Sequence, residues 1–174
     1  LDRSSAASDV YKRQIYFNKI ILKINEFVSI CYKYITNFNC FNMVYKIALF
    51  GEAEKGDFAK PLHFQSVNKL AEFLGNPPKE SLGIFFAIQA LLYNREVFFF
   101  RVQEEGFSQN DYFTGLTNLE NEIIGEISAI GLPGVGDQNI INLSTNICET
   151  YKRILITTEK DLYDYLTSFK QSIS

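Results

Sequence analysis

The chain has 174 residues, enough for one domain with a sizeable core, and its 47% hydrophobic and 21% charged residues are those of a globular protein, not a disordered or fibrous one. The formal charge is −3, unevenly spread: residues 43–174 hold eleven Lys and Arg against seventeen Asp and Glu, a balance of −6. Such an acidic domain argues against nucleic acid as a partner, because phosphate-backbone binding needs clustered cations.

Residues 1–14, including Ser4–Gln14, resemble translated adapter sequence, and residues 15–42 are almost entirely Ile, Phe, Tyr, Asn, Lys, Cys and Thr, as AT-rich non-coding DNA reads in translation. The only methionine, Met43, is the expected native start. Residues 1–42 are therefore expected to be a non-native leader, disordered or an irregular helix, and 43–174 a single α/β domain. A competing possibility is an amphipathic or membrane-seeking helix over Ile15–Ile35. Lys19, Lys23, Glu26 and Lys33 break every window of the ~18 apolar residues that a span needs, so no membrane association is expected. Lysines and asparagines also interrupt it as a signal peptide. Cys31 and Cys40 fall in this leader, which leaves Cys148 alone in the domain. No disulfide can form within it, and a reducing, cytoplasmic setting fits.

Val44–Phe50 is a short apolar run stopped by Gly51 and reads as a first strand. Pro61–Gln65 reads as a short edge strand, since proline cannot donate to a ladder. Ser66 is placed to cap a helix carrying Val67, Leu70, Ala71, Phe73 and Leu74 and ended by Gly75. After the break at Pro77-Pro78, Ser81 can cap a second helix running to about Tyr93. Val97–Val102 is nearly continuous hydrophobic sequence, the mark of a strand covered on both faces. Ser108 opens a helix with Tyr112, Phe113, Leu116 and Leu119 on one side, followed by a strand over Ile127–Leu132 and a helix over Gln138–Tyr151. A strand over Arg153–Thr157 and a final helix capped by Thr158 complete the domain, with Asp161 in the first turn. This alternation predicts an α/β fold: an open, mostly parallel sheet of four to five strands with helices on both faces.

Ligands of open α/β sheets bind beyond the carboxyl ends of the strands, which directs attention to the loops after Phe50, Val102, Leu132 and Thr157. Gly51-Glu-Ala-Glu-Lys-Gly56 has two glycines of a phosphate loop but Asp57-Phe58 where Lys-Ser/Thr is required, and its carboxylates would repel phosphate. It reads as a structural bend. Gly131-Leu-Pro-Gly-Val-Gly-Asp137 lies between a strand and a helix, the context of an anion nest. Its order is G-x-x-G-x-G, and Pro133 removes a donor, so a turn with Asp137 as helix cap is favoured over a cofactor site at Gly131, Gly134, Gly136 and Asp137. His63 is the only histidine and has no second His or Cys placed to complete a zinc site; Cys148 on an apolar stripe reads as a buried inert thiol. Glu104, Glu105, Glu120, Glu122 and Glu126 read as solvated surface. Arg101, inside an aromatic strand, must emerge at the strand end or find a carboxylate, and a structural pairing is expected. No catalytic set, metal or cofactor is expected.

Taken in order, Gly51-Glu-Ala-Glu-Lys-Gly56, Pro61, Ser66, Phe73-Leu74-Gly75, Ile84–Leu92, Phe100-Arg101-Val102, Gly115-Leu116-Thr-Asn-Leu119, Pro133-Gly134 and Cys148 resemble the sheath subunits of contractile tails and injection systems. The departures are Asp57, where that family usually has proline, and Ile154–Thr158, which lacks an aspartate expected there. Sheath subunits are also usually longer, with arms that add strands to neighbours and a further domain facing the inner tube. The resemblance implies a non-enzymatic structural or assembly protein acting through self-association or protein partners, with a homo-oligomer in view. Gly51, Glu54, Lys55, Gly56, Pro61, Arg101, Pro133 and Gly134 are then its structural or interface residues. The alternative is a small nucleotide- or phosphate-metabolite-binding α/β protein.

Overall fold

A computed structural model describes residues 45–76, 78–79 and 81–171. The leader expected over 1–42, with Cys31 and Cys40, lies outside the described residues. Five strands form one sheet: β1 (Lys46–Glu52), β2 (Pro61–Phe64), β3 (Glu96–Val102), β4 (Ala129–Gly131) and β5 (Ile154–Ile156). Their order is β2-β3-β1-β4-β5; β2 runs antiparallel at one edge and all other pairings are parallel. The described helices are α1 (Val67–Leu74), α2 (Leu82–Leu92), α3 (Gln109–Glu122), α4 (Gln138–Tyr151) and α5 (Glu159–Gln171). The open, mostly parallel α/β sheet read from the sequence is the observed fold.

Period-two alternation sorts the strands' side chains onto two faces. Ala48, Phe50, Phe98, Phe100 and Ile130 pack on one face against Tyr112, Leu116 and Leu119 of α3 and Ile140 and Ile147 of α4. Leu49, Val97 and Phe99 pack on the other against Leu70 and Leu74 of α1 and Ile84, Ala87 and Leu91 of α2. The rings of Phe50 and Phe100 stack at 4.6 Å between centroids, and those of Phe50 and Tyr112 at 5.6 Å. Complete burial of each such ring contributes about 2–3 kcal/mol, so the Phe98-Phe99-Phe100 run anchors both layers.

Two strands are shorter than the hydrophobic runs that suggested them. Ile127 and Leu132 are buried but flank β4 instead of extending it, and Pro133 ends that run. Arg153 precedes β5 because its N–H goes back to the Cys148 carbonyl at 2.9 Å, beside a left-handed Lys152 that closes α4. At Ser108 the expected cap is absent. Its hydroxyl accepts from Glu104 N instead, while Asp111 accepts from Gln103 N, so the side chains around this helix start hold the loop that leads into it. Among the described residues no helix is long and apolar enough to cross a membrane.

Candidate functional site

Parallel strands aim the N-termini of the following helices at the carboxyl end of the sheet, and the chain reverses direction there between β1 and β4. This is where an anion would be bound. The helix N-termini at that edge are filled by the chain's own carboxylates. Glu105, in the loop after β3, accepts from Leu82 N at 2.9 Å and Gly83 N at 3.0 Å with one oxygen. Its other oxygen takes Glu52 N at 3.2 Å and lies 3.1 Å from the Ser81 hydroxyl. Glu52 returns the contact by accepting from Glu105 N at 2.7 Å. Glu105 therefore occupies the N-terminus of α2 alongside the Ser81 cap. Burial pushes its carboxyl above the ordinary range despite these hydrogen bonds, which pull the other way.

The glycine-rich turn after β4 is closed in the same manner. Gly134 N donates to the buried Asp161 at 2.8 Å, and the Thr158 hydroxyl, which caps α5, donates to that same oxygen. Asp137 caps α4 by accepting from Asn139 N and Ile140 N at 2.9 and 3.1 Å, and takes Gln109 Nε2 at 2.7 Å. Tyr112, fully buried, accepts from Gly106 N at 3.0 Å. Its phenol is pushed far up, first by burial and then by the nearby Glu105, Glu52 and Asp161 carboxylates. The residues of the alternative cofactor reading, Gly131, Gly134, Gly136 and Asp137, thus line a turn whose N–H groups at Gly134, Asn139 and Ile140 already have anionic partners. No group of three or more potential metal ligands exists among the described residues.

The expected structural residues fall into two groups. Arg101 draws in Ala53 O, Gly56 O and Glu54 O at 2.9, 2.7 and 3.1 Å and lies over the Phe58 ring at 4.1 Å. Its partners are carbonyls, not the carboxylate that a buried charge suggested. Glu54 adds a 2.7 Å bond from Asn76 N, and Lys55 N donates to Leu74 O. The Gly51–Gly56 bend is therefore wound around one guanidinium. Pro61 opens β2 opposite Phe100 in the same region. Pro133 and Gly134 belong to the β4 turn instead, and Glu105 stands between the two groups: a Cβ on Gly51 would lie 3.3 Å from its Oε2, and one on Gly134 3.4 Å from its Cγ. Glu105 corrects the sequence reading. It is not solvated surface, and nothing in the spacing of Glu104-Glu105 distinguishes the carboxylate that folds back onto a helix more than twenty residues upstream.

His63 and Cys148 form no catalytic pair. His63 stacks on Phe98 and lies 2.8 Å from Glu96, whereas Cys148 is buried in the α3–α4 core with its thiol pushed up to about 11 by burial.

A different surface remains open. The α1–α2 layer covers β2, β3 and β1, and no residue of β4 or β5 enters that layer's core. Beyond its margin lies an apolar cleft of about 290 Å³, walled by Ile47, Leu49, Phe86, Tyr93, Pro133 and Ile156. Phe86, Tyr93, Ile154 and Ile156 are all exposed. On the β4–β5 side of this face Ala129 and Gly131 are buried while Ile154 and Ile156 stand exposed, and among the described residues β5 pairs with β4 alone. No family model, curated protein or solved structure matches this chain.

Proposed function

We propose that this chain is a non-enzymatic structural or assembly protein: a tail-sheath-like α/β domain that works through contacts with copies of itself or with protein partners in the cytoplasm. The observation that carries it is the apolar surface that runs from the Phe86–Tyr93 wall of the cleft to the exposed Ile154 and Ile156. Contiguous exposed apolar surface of this kind marks interaction sites. The carboxyl edge supports the same reading, because Glu105, Asp137 and Asp161 hold N–H donors that a phosphate would need. The alternative of nucleotide or phosphate-metabolite binding would have to displace these carboxylates.

Light scattering on the full chain after size exclusion, with negative-stain microscopy, tests the proposal. Species larger than the 20.0 kDa monomer, or rings or tubes, are expected. A strict monomer with no assembled particles at any concentration would overturn self-association. For the alternative, stabilisation of the native chain by NAD, ATP, GTP or FMN in a thermal-shift screen is the opposing outcome, since a ligand that binds only the folded state must raise Tm.

A further inference from the structure

The free edge at β5 specifies how two copies would meet. Among the described residues β5 pairs on one side only, with β4. Ile154 N donates to Ser128 O at 3.2 Å and Ile156 O accepts from Leu132 N at 3.0 Å, so these two residues turn their backbone groups toward β4. Strand alternation then turns the N–H and C=O of Leu155 outward, together with the C=O of Arg153 and the N–H of Thr157. These are the groups from which an antiparallel ladder is built. The opposite edge is made differently. β2 begins at Pro61, and its His63 is engaged by Glu96. Proline and charge are the usual means of blunting an edge, and β5 carries neither between Ile154 and Ile156.

We propose that two copies of this chain join through an antiparallel β5–β5 ladder centred on Leu155, making one continuous ten-stranded sheet. The inference rests on the self-association reading above and names its contact. In this register Leu155 faces Leu155 of the second copy, Ile154 faces Ile156, and Arg153 faces Thr157. Ile154 and Ile156 are 49% and 46% exposed and share one face of the strand, so the two-fold axis turns four exposed isoleucines into cross-strand neighbours. Charge favours the same direction. Lys152 and Arg153 precede the strand and Glu159 follows it, so antiparallel pairing sets each basic end beside the acidic start of the other copy's α5, whereas a parallel pairing would set like ends together. A ladder this short buries less than the ~1,200 Å² of a standard stable interface, so the dimer is reversible and concentration-dependent.

Sedimentation velocity over a concentration series, on the full chain, tests the ladder. The wild type is expected to move from 20.0 kDa toward twice that mass. Ile154→Lys or Ile156→Lys changes an exposed position, so circular dichroism and Tm should hold while association weakens at least about tenfold. Phe107→Ser, at a 75% exposed residue remote in sequence from this edge, should leave association unchanged. Lys152→Glu and Glu159→Lys should each weaken association, and the double variant should restore it. A wild type that associates equally well with either isoleucine replaced overturns the ladder and leaves the assembly reading standing. Weakening by the isoleucine variants without rescue by the double charge reversal overturns the antiparallel register. A wild type that stays monomeric throughout overturns the ladder and self-association together.

Discussion

Glu105→Ala should destabilise the domain by about 2–3 kcal/mol, well beyond the usual cost of changing a loop residue. Its two oxygens hold Leu82 N, Gly83 N and Glu52 N and lie against the Ser81 hydroxyl. Loss of an acceptor at a helix N-terminus costs about 1 kcal/mol. The partly buried Glu52 N–H, left without a partner, adds about 1 kcal/mol or more. For a domain of this size the total lowers Tm by about 6–10 °C, read by thermal or urea unfolding followed by circular dichroism. Formate in excess should recover part of the loss in Glu105→Ala and none in the wild type, because the variant leaves the seat at the start of α2 empty. The pH dependence has a definite sign. Burial raises the Glu105 carboxyl in the folded state, so the stability it contributes by binding a proton is complete below the ordinary value of 4.5 and is lost as pH rises through the raised one. Glu105→Gln should remove that part of the slope. A Glu105→Ala midpoint within about 0.5 kcal/mol of the wild type, with no response to formate, would refute the idea that this carboxylate holds the crossing together.

Gly83→Ala should cost about 3 kcal/mol in urea unfolding, since its Cβ would lie 2.5 Å from Gly51 Cα and 2.7 Å from Phe50 O, backbone atoms that cannot swing aside. An unchanged midpoint would contradict the close helix–strand approach. Arg101→Lys keeps the charge but loses the planar fork that reaches three carbonyls, and should cost about 2 kcal/mol while speeding tryptic cleavage at Lys55. Equal cleavage rates would mean that the 53–56 bend holds itself. Cys148, its thiol pushed up to about 11 by burial, should resist pulse alkylation at pH 8 until denaturant is added, with peptide mapping as the readout. Rapid native labelling at Cys148 would contradict its place in the core.

The layering was legible because burial leaves a direct imprint on sequence. The Val97–Val102 run read as a strand covered on both sides, and Ser66, Ser81, Asp137 and Thr158 marked helix starts where their side chains do accept backbone N–H groups. The ends of β4 and β5 were not, since Ile127 and Leu132 are buried whether or not they are strand. The site was harder still. A carboxylate that folds onto a distant helix and one that faces water look alike in sequence, so Glu105 went unseen while Asp137, adjacent to the helix it caps, did not. Arg101 was rightly singled out, but backbone carbonyls are present at every position and leave no pattern from which its partners could be read. The exposed apolar residues were hidden for a related reason: Ile154 and Ile156 look like core residues, and only the placement of α1 and α2 over the other three strands leaves them outside that layer's core.

The contact between Gly51 and Gly83 also works as a fulcrum. Helix α2 rests its first turn on β1 there, and the two aromatic rings that wall the cleft, Phe86 and Tyr93, ride on the rest of its length and just past its end. At 1.5 Å per residue, Tyr93 sits about 15 Å out along the arm from Gly83. Any side chain wedged at the fulcrum tips that arm, so a methyl group added far from the cleft would change how wide it stands.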